Sequence, residues 1–139
     1  MDPETAQSQF AGCILYKNSN PVEVLLVQPI TRGKQRWAIP EIEVDAPEDM
    51  AEAVHKHVLE ETGIAAKSVD YLGFVDYPRG RLHCFFGRVS ATANPKLGHL
   101  HIRAVNLFPL EEAVKLVDKR QRRLLEAFST SLAFLSDSA

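Results

Sequence analysis

Two kinds of hydrophobic pattern alternate along the chain. Residues 10–16 (FAGCILY) and 22–28 (VEVLLVQ) are short apolar runs rich in β-formers, and the turn cluster Asn18-Ser19-Asn20-Pro21 between them predicts an antiparallel hairpin. Residues 30–35 read as a basic loop, and Trp37-Ala38-Ile39 is a brief apolar stretch that stops at Pro40. From Asp45 the pattern becomes helical: Asp45 followed three positions later by Glu48 resembles a capping box, and Pro47 fits a first helical turn. This helix is expected to run to about Thr62, with Gly63 supplying the left-handed residue past its end. Residues 69–77 and 81–89 flank Pro78-Arg79-Gly80 and predict a second hairpin. A last strand is expected at 104–108, followed by helices at 110–117 and 120–134, with 1–8 and 136–139 loose. Strands with one inserted helix, then terminal helices, predict a single domain over 1–139: an α/β/α sandwich around a mixed sheet covered on both faces.

Composition narrows the function classes. A chain of 139 residues suits one core, and a net charge of -2 gives no global field toward nucleic acid or membrane, so anion binding must come from local basic clusters. No stretch approaches the ~20 apolar residues of a membrane helix, and the polar start MDPETAQSQ lacks the features of a signal peptide. A cytoplasmic protein is expected. Cys13 and Cys84 sit in apolar strand runs and read as small buried hydrophobes, able to pair only if their strands are adjacent in the right register.

The chemistry concentrates in the helix. Met50, Ala53 and Val54 form an apolar stripe, and one turn further it meets His57, Glu60 and Glu61, related by i, i+3 and i+4. Two carboxylates would then project inward near a helix C-terminus, where the macrodipole also disfavours negative charge. A divalent cation held by hard oxygen ligands makes that arrangement reasonable. The alternative is a helix rotated so that both glutamates reach water. Arg32, Lys34 and Arg36, just before Trp37, suit a polyphosphate tail or form a solvated charge run, with Arg79 and Arg81 at the hairpin tip as weaker phosphate contacts. The run Lys119, Arg120, Arg122 and Arg123 reads as a solvated helix start, without interleaved aromatics to stack on RNA. Trp37, Tyr77, Phe85 and Phe86 are either core or base-stacking, and Phe85 and Phe86 must point to opposite faces of their strand.

The stretch 37–64 resembles the Nudix box and its approach. Trp37-Ala38-Ile39-Pro40 is similar to the entry segment, and Glu48, Lys56, His57, Val58, Glu60, Glu61, Gly63 and Ile64 fall on the family's acidic, arginine, glutamate, aliphatic, paired-glutamate, glycine and aliphatic positions. The opening hairpin and closing helices are also similar to the family's. The departures are specific: Glu41 and Ile42 replace a glycine pair, Lys56 replaces arginine, and His57 replaces a glutamate that ligates metal. Histidine brings no negative charge and is a softer ligand. The late loop where the family often adds an acid, residues 91–101, offers His99 and His101 instead.

The resemblance implies a Nudix-like α/β/α sandwich with a mixed sheet and hydrolysis of a nucleoside diphosphate linked to another group, slowed by the altered box. Mg²⁺ or Mn²⁺ would be held by Glu60, Glu61, Glu48, His57 and the Glu41 backbone carbonyl, with Glu60, Glu61 and His57 catalytic and Arg32, Lys34, Arg36 and Arg81 on the substrate. The expected partner is a nucleoside di- or polyphosphate, with no membrane and no nucleic acid. The oligomeric state is open, a homodimer included. Two other functions stand beside this one: a catalytically silent Nudix domain that binds a nucleotide or a protein, and an α/β scaffold without a small-molecule site.

Overall fold

The computed structural model describes residues 8–30, 36–45, 49–98 and 102–138. Its strands are β1 (Ser8–Lys17), β2 (Glu23–Pro29), β3 (Glu41–Glu43), β4 (Asp70–Tyr77), β5 (Gly80–Val89) and β6 (Ile102–Pro109). Its helices are α1 (Met50–Thr62), α2 (Leu110–Leu116) and α3 (Lys119–Ser138). The mixed sheet runs β4-β5-β1-β2-β6, with β3 added to β1.

Strand β1 is buried on both faces, which is why it reads as a continuous apolar run. Phe10, Ile14 and Tyr16 join the core beneath α2 and α3, where Leu124, Leu125 and Phe128 fill the inward stripe of α3. Ala11, Cys13 and Leu15 join the core beneath α1, with Met50, Val54 and Val58. The period of two along one strand thus divides the molecule into two cores. Each large side chain buried there contributes roughly 1.5–3 kcal/mol. Phe85 and Phe86 split the same way, Phe85 toward α1 and Phe86 toward α3.

Both predicted hairpins are present, β1–β2 and β4–β5, each antiparallel. Pairing of β1 with β5 is parallel and runs the whole length of both strands. The other edge of β1 is shared. β2 pairs with it only at Tyr16 and Lys17, whereas β3 pairs with Phe10, Ala11 and Gly12. Between them the 38–40 segment fills the splay: Ala38 exchanges two backbone hydrogen bonds with Val27, at 2.8 and 2.9 Å, and the Cys13 amide donates to the Pro40 carbonyl at 3.1 Å.

Strand β3 corrects the expected start of the helix. Its pairing with β1, and the Val44 amide donating to the Gln9 carbonyl at 2.8 Å, keep the backbone extended through Val44. Asp45 therefore lies in a bend and not at a helix cap; α1 begins at Met50, with Asp49 at the N-cap and no side-chain capping bond. Pro47 and Glu48 lie outside the described residues, as do Arg32, Lys34, His99 and His101. The predicted C-terminal end holds: Gly63 has φ 74° and its amide donates to the Leu59 carbonyl. α3 continues to Ser138 where a loose tail was expected. No helix among the described residues is long and apolar enough to cross a membrane.

Cys13 and Cys84 lie on adjacent strands but in registers that send them to opposite cores, so they cannot pair. Both are free and fully buried, and burial pushes the Cys13 thiol up to about 12 and the Cys84 thiol well above its usual range. The folded protein should leave a disulfide reagent unconsumed at pH 8, and denaturation should release two reactive thiols. Rapid reaction of either thiol in the native state would contradict this packing.

Candidate active site

The buried stripe of α1 is Met50, Val54, Val58 and then Glu61 and Thr62. Because Glu61 sits three residues after Val58, the helical period carries it directly into line with the apolar side chains. It is 3% exposed. Glu60, one step of about 100° around the helix, is exposed. The adjacent glutamates therefore separate, one into the protein and one into water, a division that both orientations considered from the sequence had missed by moving them together.

Glu61 is held from two directions. His57, one turn earlier and half-buried, places Nε2 3.3 Å from Glu61 Oε1. The loop between β5 and β6 ties down the helix end: the Gly98 amide donates to the Glu61 carbonyl and the Lys96 amide to the Thr62 carbonyl, both at 2.8 Å. These bonds satisfy carbonyls that have no partner within a helix. The approach is close enough that a Cβ on Gly98 would fall 2.3 Å from the Glu60 carbonyl oxygen. Sequence patterning gave Gly98 no role, since its necessity arises only from this tertiary contact.

The second carboxylate oxygen, Glu61 Oε2, is shielded from solvent and has no hydrogen-bond partner among the described residues. Glu61 is part of the wall of a cleft of about 270 Å³ formed where β2 and β3 splay from β1, lined also by Pro40, Glu41, Ile42 and Glu43 together with His57 and Ile102. Glu41 and Ile42, in place of the glycine pair, are accommodated without strain, because the segment forms β3 and no non-glycine residue among those described has positive φ.

The other expected site residues are scattered. Arg36 is exposed beside Trp37, and Trp37 itself packs edge-on against Phe108 at 4.8 Å. Arg81 does not reach the cleft: its Nε donates to Asp76 at 2.8 Å and its guanidinium lies 3.9 Å from the Phe74 ring centroid. Lys56, Arg120, Arg122 and Arg123 are exposed. Among the described residues, Arg79, the hairpin-tip neighbour, approaches the site, with a guanidinium nitrogen 3.8 Å from Glu41 Oε2.

Sequence reasoning also missed Gln121. Buried at 2% exposure, it accepts the Ile39 amide at 2.8 Å and donates to Glu41 Oε1 at 3.2 Å, while its own amide donates to Asp118 at 2.8 Å. It occupies a polar position in an otherwise apolar stripe of α3, and that misfit was its only visible signal. Burial raises the Glu41 carboxyl above its usual range, opposed by Arg79 and Gln121 and reinforced by Asp118. Burial and the Glu41 and Asp118 charges raise the Tyr77 hydroxyl strongly.

A NUDIX domain family model matches residues 8–128. The chain belongs to the Nudix family. No curated protein sequence matches it significantly. The fold is similar to the NUDIX domain of Shewanella oneidensis NrtR, solved with ADP ribose, with a TM-score of 0.79 and 20% identity over 95% of this chain and 94% of that one. It is similar to a C. elegans Ap4A hydrolase, with a TM-score of 0.75 and 23% identity over 89% and 98%. A MutT protein from Methanosarcina mazei Go1 gives 0.71 and 20% over 90% and 94%.

Two outcomes follow from these environments. Glu61→Gln removes a buried charge with an unpartnered oxygen, so the metal-free protein should keep its fold and gain on the order of 1 kcal/mol, a few degrees in Tm; a lower Tm would show that Glu61 is a satisfied structural group. Glu41 has a folded pKa above its ordinary 4.5. Protonated Glu41 therefore favours folding at low pH, and that contribution is lost as pH rises from 4.5 through the raised value. Denaturant titrations of Glu41→Gln should lack this part of the pH dependence.

Proposed function

We infer that the protein is a metal-dependent pyrophosphohydrolase acting on a nucleoside diphosphate linked to another group, slowed by its altered box. The observation that carries this reading is Glu61 Oε2, a buried carboxylate oxygen without a partner at the cleft wall. A buried carboxylate oxygen left without a partner is costly, and a cation supplied with the substrate would give it one. Nudix hydrolases generally use divalent metal ions, and of the similar structures one was solved with ADP ribose and another is an Ap4A hydrolase.

Among the described residues no cluster of three or more His, Cys, Asp or Glu is already arranged to hold a metal. The donors nevertheless fit in part: Glu61 offers a hard anionic oxygen and His57 a ring nitrogen beside it. Mg²⁺ or Mn²⁺ would be held by Glu61 and His57, completed by Glu60 on the outer side of the same turn, Glu48 and the Glu41 backbone carbonyl. When bound, the ion lowers the pKa of water and neutralises phosphate oxygens. His57 serves as third ligand or as the base that takes the proton from water, with Glu61 Oε1 orienting its ring. Arg32, Lys34 and Arg36 are assigned to the phosphates. Arg81 is withdrawn from that set by its pairing with Asp76.

The exposure of Glu60 and the histidine at position 57 favour a second reading, a silent domain that binds a nucleotide without turnover. Incubation with Mg²⁺ or Mn²⁺ and a panel of nucleoside polyphosphates separates the two. Phosphate or pyrophosphate release that falls on the order of a hundredfold in Glu61→Gln, with the fold intact, supports hydrolysis. Binding with no release in the wild type supports the silent domain. His57→Glu should raise Mg²⁺-dependent turnover by restoring a negative hard ligand, and a fall instead would give His57 a specific role.

A further inference from the structure

Strand β4 ends the sheet, and among the described residues no strand pairs with its outer edge. An open edge presents a row of unpaired N–H and C=O groups, which proteins commonly blunt with proline or lysine. β4, with the sequence DYLGFVDY, carries neither. A bulge between Tyr71 and Gly73 interrupts its ladder, so the regular stretch is 73–77. A Cβ built on Gly73 would meet nothing within 4 Å, so open space lies beside the start of that stretch.

The edge opens onto a groove with a charge of its own. A cavity of about 430 Å³ lies between β4 and α3, bounded by Gly73, Val75 and Asp76 on the strand and by Arg120, Arg123 and Ala127 on the helix. Arg120 and Arg123 share a helix face, are exposed, and form no ion pair among the described residues. Asp76 is already paired with Arg81 at 2.8 Å. The groove is therefore left with two uncompensated cations. On the opposite face of the strand, Tyr71 and Phe74 pair with Phe85 and His83 and are 52% and 47% exposed.

We propose that the β4 edge docks an extended acidic peptide of a partner protein, added as a further strand alongside 73–77. Main-chain hydrogen bonds to the outward N–H and C=O groups of β4 supply the pairing, as in other strand-addition complexes. Alternate side chains of the peptide then face opposite sides. One set, about 6.8 Å apart, meets Arg120 and Arg123 and is acidic. The other set lies beside Tyr71 and Phe74 and is apolar. A second copy of β4 fits this edge poorly. Antiparallel pairing of two such edges would set α3 beside α3, arginines against arginines, and would bring Asp70 toward Asp76 of the other copy. The basic run at the start of α3, a solvated face in sequence terms, thereby gains a role that does not depend on hydrolysis at the cleft.

Short capped peptides that alternate glutamate with valine, or lysine with valine, test the proposal on the full chain by calorimetry. The glutamate peptide should bind on the order of tenfold tighter or more than the lysine peptide, and raised salt should weaken it. Arg120→Glu combined with Arg123→Glu should abolish this preference, with the fold checked by circular dichroism. N-methylation of alternate peptide amides tests the pairing without altering the protein: one frame should abolish binding, and the other, which turns its methyl groups to solvent, should leave it within about threefold. Amide hydrogen exchange in 73–76 should slow when the glutamate peptide is bound. Equal binding of both peptides, no measurable binding, equal loss in both methylated frames, or no protection in β4 would overturn the proposal. So would self-association of the chain through this edge, or binding of a single-stranded oligonucleotide in place of the peptide.

Discussion

Burial of β1 on both faces is the constraint from which the site follows. Its alternate side chains feed two cores, so α1 is committed to one side and α2 with α3 to the other. Parallel pairing with β5 occupies one edge of β1 completely. The remaining edge must serve both β2 and β3, and they cannot share it without diverging. The cleft is that divergence. Its floor is the last turn of α1, where the same hydrophobic periodicity that seats Val54 and Val58 brings Glu61 inward.

Much of this was legible in the pattern of the chain. The strand hairpins, the inserted helix, the terminal helices and the glycine at the end of α1 follow from local signals: turn residues, period-two or helical spacing, and positive φ. Three features were not. β3 is three residues long and exists because β1 offers it an edge, so nothing local announces it. It delays α1 and overrides a plausible cap at Asp45. Glu60 and Glu61 were read as a pair because both lie near the apolar stripe, whereas packing chose a rotation centred on Val58 and divided them. Gln121 and Gly98 owe their roles to partners far away in sequence, Ile39 and the end of α1 respectively.

The residues that replace the family's glycine pair change the site's character more than its shape. Ile42 and Glu41 keep the backbone extended. The Glu41 side chain adds a carboxylate at the boundary between the cleft and the α3 face, where Gln121 anchors it and Arg79 approaches. A position that elsewhere in the family contributes backbone flexibility here contributes a charged group in low-dielectric surroundings. That substitution gives the chain an electrostatic feature at the cleft wall independent of the helix.

Gly98 sets a mechanical relation between two parts of the chain. Its amide grips the Glu61 carbonyl while its bare Cα leaves no space against Glu60. Residues 96–98 of the β5–β6 loop are thus fastened to the tip of α1 through the Lys96 and Gly98 amides. Any side chain at position 98 would have to part the loop from the turn of backbone that carries the buried carboxylate.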